Sequence, residues 1–236
     1  MNSPWYSYMG IPYKENCKAF YDINDFDWGK NLKENQEKIK TLALEFLNNK
    51  GILKEEYFNR ELVESNLKWE LTSFLYWSRP VKQNIELGKD FYNIFNSIPG
   101  LTGLSISILP PNTIIKPHYG DTDAVCRIHI PVQIPAQLPE CGLSVNNESK
   151  SWDDIIIFCD AHLHSAWNKT DKYRVVVIAD ILLPQFVNEK NKVCNNAISL
   201  LRLQKLFGKH PTLNKLPWFV KGAIRYWLKL LISLGL

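Results

Sequence analysis

The stretch from residue 101 to residue 187 constrains the fold most, because it consists of short strand-like runs separated by turn signals. Residues 104–108 alternate apolar and polar side chains with a period of two. Residues 127–130 alternate likewise, and Pro131 is expected to weaken the hydrogen-bonded ladder just after them. Residues 154–158 and 173–181 are apolar runs of strand length. Short strands at this spacing predict a sandwich or a barrel.

Helical patterns flank these strands on both sides. Residues 1–100 are predicted to be mostly helical, with one helix over 30–50 that ends at Gly51 and a second over 89–97. Residues 69–77 are rich in aromatic side chains and less regular, and we expect most of those aromatics in the core. We therefore predict an α+β fold with a β-rich core. Residues 1–187 form one domain with its strands in 101–187, and residues 188–236 form a helical extension.

The C-terminal extension is strongly basic. From Lys190 onward there are nine basic residues and no acidic ones, although the net charge of the whole chain is only +4. Lys221, Arg225 and Lys229 recur every four residues among apolar ones. This pattern predicts either a helix that lies in a membrane interface or a helix packed on the core with its charges in water. The apolar residues around these charges suit lipid or protein better than nucleic acid, so no nucleic-acid partner is expected.

Cysteine usage and the N-terminal residues bear on the compartment. The five cysteines are widely spaced and form no Cys-x-x-Cys pair, which argues against a zinc site and favours reduced thiols in a cytoplasmic protein. The N-terminus shows no basic segment followed by an apolar run, and no stretch of 18 uncharged apolar residues occurs. The cytoplasm is therefore expected, with the inner face of a membrane as the alternative location.

Four of the five histidines lie in one part of the strand region, and they are His118, His129, His162 and His164. His118 ends a strand before a glycine turn, and His164 begins another strand, so the two can converge on one metal ion. Imidazole nitrogen suits iron(II), which also needs open positions. Non-haem iron sites usually have a carboxylate two residues after the first histidine, where this chain has Gly120. His162 is expected to face solvent or to lie just behind the metal site.

Residues 107–181 resemble the aspartyl/asparaginyl β-hydroxylase family. The first metal histidine of that family lies in a His-x-Gly turn without a carboxylate, and the second in an Asp-x-x-x-His-x-x-Trp context. The positions that match at the family's spacing are Ser107, His118, Gly120, Arg127, His129, Asp160, His164, Trp167 and Arg174. Trp152-Asp153-Asp154 also resembles a family motif, although Ile155 stands where the family usually has glycine.

The resemblance implies a double-stranded β-helix, a jelly-roll or cupin-like barrel, that binds Fe(II), 2-oxoglutarate and O2, with ascorbate as an activator. His118 and His164 would hold the metal and be the catalytic residues. Arg174 would pair with the far carboxylate of 2-oxoglutarate, and Ser107 would add a hydrogen bond. Arg127 and His129 share one face of a strand and would lie around the metal-binding carboxylate.

The activity implied is hydroxylation of a C–H bond in a peptidyl aspartate or asparagine, or in a related small molecule. Similar proteins hydroxylate the acyl chains of lipid A, so a lipid acyl-chain hydroxylase, with peripheral membrane contact through residues 199–236, is one alternative. A halogenase is another, because Gly120 leaves a place for a halide. The last alternative is a metal-binding scaffold without catalysis. Arg174 makes it less favoured, because a scaffold does not need a buried cation for a cosubstrate.

Overall fold

The computed structural model of the chain describes residues 3–7, 12–14, 16–57, 59–64 and 67–234. Its helices are α1 Gly29–Glu34, α2 Gln36–Leu47, α3 Lys82–Leu87, α4 Lys89–Asn96, α5 Lys190–Lys209 and α6 Trp218–Ser233. Its strands are β1 Phe20–Tyr21, β2 Glu55–Glu56, β3 Val63–Glu64, β4 Glu70–Tyr76, β5 Arg79–Pro80, β6 Leu101–Leu109, β7 Thr113–His118, β8 Val125–Gln133, β9 Cys141–Val145, β10 Glu148–Lys150, β11 Ile156–Phe158, β12 His164–Asn168 and β13 Arg174–Leu182.

The strands form two antiparallel sheets that face each other. The larger sheet has the order β1-β11-β8-β13-β6-β4-β2, with β5 on β4, and the smaller has the order β10-β9-β12-β7-β3. From β6 to β13 the chain passes back and forth between the two sheets, so four strands of one sheet oppose four of the other. This strand order is a double-stranded β-helix, and it confirms the predicted α+β fold with a β-rich core and flanking helices.

The larger sheet is covered on both faces, so two hydrophobic cores share its strands. The inner core lies between the sheets and contains Leu109, Leu143, Val145, Trp152, Phe158 and Val176. The outer core lies under the helices and contains Ile39, Phe46, Phe74, Phe91, Ile106, Val177 and Ala197. Because β13 is buried on both sides, its sequence is a continuous Val-Val-Val-Ile run instead of an alternating one.

The first hundred residues differ from the prediction, because their described part contributes five strands as well as four helices. Residues 70–76, which were expected to be irregular, form β4 beside β6 in the larger sheet. The register between these strands shifts between Ser73 and Leu75. This bulge interrupts the period-two alternation by which a strand is recognised in sequence. The aromatic residues here are buried as expected, except that Tyr76 is exposed.

Helix and strand boundaries depart from the sequence pattern at three points. The predicted helix over 30–50 is divided at Asn35 into α1 and α2. The predicted helix over 89–97 is confirmed as α4, but α3 directly before it was not anticipated. Pro131 lies inside β8, and its effect on the ladder appears as a register shift opposite Val175 and Val176 of β13.

The C-terminal extension is helical, as predicted. The apolar stripe of α5 is buried against the larger sheet, and it includes Val193, Ala197, Ile198 and Leu200. Helix α6 packs against α5. Among the described helices, none is long and apolar enough to cross a membrane. The division of the chain between residues 187 and 188 stays a prediction.

We expect Asn84→Ala to lower the free energy of unfolding by about 2–4 kcal/mol. The Asn84 side chain accepts a hydrogen bond from the Leu53 backbone N–H at 2.8 Å and donates to the carbonyls of Leu53 at 3.0 Å and Ser73 at 2.8 Å. The substitution removes all three bonds inside a buried junction. Urea denaturation measures the change, with exposed Asn191→Ala as the control, for which a shift under about 0.5 kcal/mol is expected. Equal effects of the two substitutions would contradict the prediction.

Candidate active site

The two histidines predicted as metal ligands lie side by side. His118 is the last residue of β7, His164 is the first of β12, and the two residues are paired across these antiparallel strands. Their ring centroids are 4.2 Å apart. A register shift follows His164 in β12, so the ladder is irregular where the two rings meet. The smaller sheet thus presents two imidazoles together at the end of one strand pair.

Backbone carbonyls fix the orientation of both rings. The Nδ1 atom of His118 lies 2.8 Å from the Lys116 carbonyl oxygen, and the Nδ1 atom of His164 lies 2.9 Å from that of His162. A carbonyl oxygen can only accept, so each ring carries its proton on Nδ1 and keeps the Nε2 lone pair for a metal ion. Burial lowers the pKa of both histidines, which favours the neutral, ligating form.

Gly120 stands where a third protein ligand would be expected. The Gly120 N–H donates to the Asp160 carbonyl at 2.6 Å, and a Cβ atom on Gly120 would overlap the Asp160 carboxyl group. A side chain at position 120 is therefore excluded by the close approach of Asp160. Within the described part of the chain, no group of three or more histidine, cysteine, aspartate or glutamate side chains gathers as a metal site.

Arg127 is held by two aspartates. Its Nε and Nη2 atoms donate to the two carboxylate oxygens of Asp180 at 2.8 and 2.9 Å, and its Nη1 lies 3.1 Å from Asp160 Oδ2. These carboxylates hold the pKa of Arg127 well above its usual value, although burial opposes them. Burial raises the pKa of Asp160, and its Oδ1 atom has no hydrogen-bond partner among the described residues. Asp180 was not predicted as a site residue. The one feature of the sequence that indicates it is a charged residue late in an apolar strand.

His129 lies on the inner surface of the larger sheet between two aromatic rings. The Trp152 indole N–H donates to His129 Nδ1 at 3.3 Å, so the neutral ring carries its proton on Nε2 and can donate from there. Phe158 packs at right angles to His129, with centroids 5.0 Å apart, and lies 5.6 Å from the His164 ring. Burial and the Arg174 and Arg127 cations hold the pKa of His129 well below its usual value.

Arg174 is a buried cation without an acidic partner. It is the first residue of β13 and is 1% exposed, with its guanidinium 4.8 Å from the centre of the Trp152 ring. Among the described residues it forms no ion pair with an aspartate or glutamate, and its Nε has no hydrogen-bond acceptor. Burial lowers the pKa of Arg174 to about 10. A buried guanidinium is stable only with an anion beside it, so the site fits a carboxylate ligand.

Ser107 lies on the same inner surface as Arg174. It is fully buried in β6 and paired with Val176, two residues along β13 from Arg174. The Trp69 indole N–H donates to the Ser107 hydroxyl oxygen at 2.9 Å, which leaves the hydroxyl proton free to bond a ligand. Trp69 stacks on Tyr57 with centroids 4.1 Å apart, and both line a cleft of about 230 Å³. Neither contact was anticipated from the sequence.

The solvent-facing position suggested for His162 is wrong. Its side chain is buried, with Nε2 2.8 Å from the Cys17 carbonyl oxygen and the ring edge-on to Tyr13 at 5.1 Å. The alternative position, directly behind the candidate metal site, is the one observed, because the His162 carbonyl orients His164. Tyr13 and Cys17 of the N-terminal segment cover the His162 side chain, which the sequence pattern did not predict.

The sequence model of the family described as aspartyl/asparaginyl beta-hydroxylase matches residues 33–184, more than half of the chain. The chain belongs to this hydroxylase family. The match begins well before Ser107, so it also includes α2, α4 and β4. The resemblance predicted from the spacing of nine residues is therefore confirmed, and it extends over more of the chain than those residues span.

Two relatives of this chain differ in how much of it they match. The ornithine lipid ester-linked acyl 2-hydroxylase of Rhizobium tropici is 26% identical over 195 residues, which cover 78% of this chain and 69% of that protein. Human aspartyl/asparaginyl beta-hydroxylase is 27% identical over 106 residues, which cover 42% of this chain but only 14% of the human protein. The present chain thus matches a small part of the human hydroxylase.

Solved structures with a related fold are distant. A 2OG-Fe(II) oxygenase family oxidoreductase from Burkholderia pseudomallei is 10% identical, with a TM-score of 0.41, over 71% of this chain and 96% of that one. A prolyl-4-hydroxylase from Pseudomonas putida is 11% identical, with a TM-score of 0.40, over 62% of this chain and 86% of that one. The double-stranded β-helix is shown by the strand order of the present chain.

We expect Gly120→Ala to lower the free energy of unfolding by about 1–3 kcal/mol, because the new methyl group displaces the Asp160 carboxyl group. Thermal denaturation without metal measures the change. Gly208→Ala is the control, since a Cβ atom there meets nothing within 4 Å and should stabilise helix α5 by about 0.5–1 kcal/mol. If Gly120→Ala were as stable as Gly208→Ala, the close approach of Asp160 would not be what requires glycine.

Arg127 and Arg174 should respond oppositely to replacement by methionine. Arg174→Met removes an unpaired buried cation, so we expect the ligand-free protein to be as stable as the wild type or more stable, by about 1–4 kcal/mol. Arg127→Met leaves Asp160 and Asp180 without their cation and should destabilise the protein by about 3–5 kcal/mol. Urea denaturation of both variants measures this. Comparable destabilisation by the two substitutions would mean that Arg174 already has a structural partner.

Proposed function

We propose that this hydroxylase is an Fe(II)- and 2-oxoglutarate-dependent dioxygenase. The observation that carries the proposal is Arg174, a fully buried guanidinium without a carboxylate partner among the described residues. It lies in the same barrel as two adjacent histidines whose Nε2 atoms are free for a metal ion. A cosubstrate with one carboxylate for Arg174 and another for the metal would satisfy both features.

The donor set fits Fe(II). His118 and His164 would supply two nitrogen ligands, which leaves positions open for 2-oxoglutarate and O2. Asp160 lies against Gly120 and has an Oδ1 atom without a partner among the described residues. We propose that this oxygen accepts a hydrogen bond from a water that takes the place of the missing carboxylate ligand. Asp160 would then orient a metal ligand without being one.

The cosubstrate would be held at both ends. Arg174 would pair with its far carboxylate, and the Ser107 hydroxyl, whose oxygen already accepts from Trp69, would donate to the same group. At the other end, His129 would donate from Nε2 to the metal-binding carboxylate. Arg127 would add positive charge there, in an orientation fixed by Asp180.

When bound, the metal and 2-oxoglutarate supply the oxidation: one atom of O2 enters a substrate C–H bond as a hydroxyl group, and the other appears in succinate as CO2 is released. The protein's part is to position the groups and exclude water. Phe158 is buried beside His164 and Trp152 beside His129, and both line the site with apolar surface. Ascorbate would act as an activator by keeping the iron reduced.

The substrate proposal has two candidates. The first is a peptidyl aspartate or asparagine, or a related small molecule, as the family description suggests. The second is an acyl chain of a lipid, with peripheral membrane contact through residues 199–236 at the inner face of the membrane. The second is favoured because the match to the ornithine lipid hydroxylase covers 78% of this chain, whereas the match to the human protein covers 42%.

The remaining alternatives have less support. A halide in the place of the third ligand would lie next to the Asp160 carboxyl group, and two negative charges repel each other in a buried site. Hydroxylation is therefore preferred to halogenation. A scaffold without catalysis has no use for the unpaired Arg174, which costs stability unless an anion binds it.

The decisive test is succinate formation from 2-oxoglutarate under air with Fe(II) and ascorbate. Wild type should turn over even without a substrate, and His164→Ala should be inactive because it removes a metal ligand. Arg174→Ala should lose about a hundredfold in kcat/KM for 2-oxoglutarate, since it removes the cation that binds a carboxylate. His210→Ala, at an exposed position after α5, should behave as wild type.

Absence of succinate, together with absence of iron and 2-oxoglutarate binding by the wild type, would reject the proposal. The substrate candidates are separated by incubating the active protein with an ornithine lipid or with an aspartate-containing peptide. Mass spectrometry then shows which of them gains one oxygen atom. Substrate-dependent chlorination in the presence of chloride would instead favour the halogenase.

A further inference from the structure

The outward side of α6 is apolar along its length. Its exposed large side chains are Phe219, Tyr226, Trp227, Leu230, Leu231 and Leu234, which we call the α6 outer face. Tyr226 is 69% exposed and Trp227 is 62% exposed, so these aromatic rings project into solvent. A surface helix normally turns its apolar side inward and its polar side to water. Here the spacing of three and four residues from Tyr226 to Leu234 puts an apolar stripe on the outside, and Phe219 lies two turns before Tyr226.

The basic residues of α6 lie beside this stripe instead of on the outer face. Lys221, Arg225 and Lys229 are half-buried, and the Lys221 Nζ atom lies 5.9 Å from the centre of the Phe207 ring on α5. Burial lowers the pKa of Arg225. Long basic side chains in such a position can extend toward the rim of an apolar surface. Helix α6 therefore packs on α5 as one of the two expected arrangements has it, with these charges partly buried instead of fully in water.

More positive charge surrounds the corner between α5 and α6. Lys205, Lys209 and Lys215 are exposed there, and residues 190–236 contain no acidic residue to balance them. The nearest acid in sequence, Glu189, pairs with Lys192 at the other end of α5. The α6 outer face is thus an apolar, aromatic surface set in a positively charged one.

We propose that the α6 outer face binds the surface of an anionic lipid bilayer, with the helix axis parallel to the membrane. Apolar and aromatic side chains would enter the headgroup region, while the surrounding lysines would contact anionic headgroups. The 16 residues of α6 make a helix about 24 Å long, shorter than the roughly 30 Å of a bilayer's hydrocarbon core. The contact is therefore interfacial.

A second copy of the chain fits this face less well. The outer side of a helix about 24 Å long and about 10 Å wide offers roughly 240 Å², against about 800 Å² per partner in a typical stable interface. Two copies would also bring their basic surfaces together without an acidic residue in either C-terminal region. An anionic bilayer instead supplies opposite charge to every lysine around the face.

Docking would hold the barrel at the membrane and so give it access to acyl chains. That the substrate is such a chain rests on the proposed function, whereas the docking itself does not. The α6 outer face and the candidate metal site are on separate elements, α6 and the β7–β12 pair. Membrane binding and catalysis can therefore be measured and disabled independently.

The test is flotation of the full chain with vesicles of phosphatidylcholine and phosphatidylglycerol, compared with vesicles of phosphatidylcholine alone. We expect wild type to bind the anionic vesicles and the double variant Trp227→Gln, Leu231→Gln to bind them at least about tenfold more weakly. The matched control is Leu53→Gln, Leu87→Gln, which replaces exposed leucines outside α6 and should bind as wild type. High salt should weaken wild-type binding.

Three results would overturn the proposal: no binding of wild type to anionic vesicles, equal binding to neutral vesicles, or a dimer in solution that the α6 double variant dissociates. Two further measurements separate this proposal from the catalytic one. Arg174→Ala should float with anionic vesicles as wild type does, although it forms little succinate. The α6 double variant should form succinate from 2-oxoglutarate at the wild-type rate in the absence of vesicles, which also shows that it is folded.

Discussion

A guanidinium buried between two β-sheets is the constraint on which the rest of this structure depends. Arg174 opens the strand that lies at the centre of the larger sheet, between β6 and β8. Its charge is stacked on Trp152 and unmatched by any acid in the described residues. The strands around it contribute Ser107 and His129, each already bonded to a tryptophan indole N–H and each able to donate to a ligand. The interior of the barrel therefore combines a buried cation with two hydrogen-bond donors, and the unpaired charge carries a free-energy cost.

Arg127 and Arg174 have opposite electrostatic surroundings among the described residues. Arg127 is surrounded by Asp180 and Asp160, and these three side chains form a closed group that fixes the end of β8 against β13. Asp160 also reaches Gly120, so the group extends to the turn after His118 and to the chain segment before His164. The paired histidines are thus positioned by backbone carbonyls on one side and by an aspartate–arginine group on the other. Arg174, in contrast, is left without such partners.

The two C-terminal helices differ in how their apolar residues are placed. Helix α5 contributes its apolar residues to the outer core over the larger sheet. Helix α6 packs against α5 with its other side and leaves aromatic residues exposed, and residues 190–236 themselves contain no acidic residue. The proposed oxidation in the barrel and the proposed lipid contact of α6 are compatible with an amphiphilic substrate. They also agree with a relative whose name describes hydroxylation of a lipid acyl chain.

The sequence by itself predicted the strand region as a sandwich or a barrel, and the family resemblance that it carries implied the double-stranded β-helix. Strand periodicity fixes which side chains share a face, and the fixed spacing from Ser107 to Arg174 carries the family resemblance. Sequence reasoning did not reveal β4, because a bulge breaks its alternation, nor the burial of His162 under Tyr13. Only the tertiary structure decided that Asp180 binds Arg127, that Trp69 and Trp152 bond to Ser107 and His129, and that α6 turns its apolar side outward. Those contacts join residues far apart in the chain, and they depend on sheet register and helix packing, which no local pattern encodes.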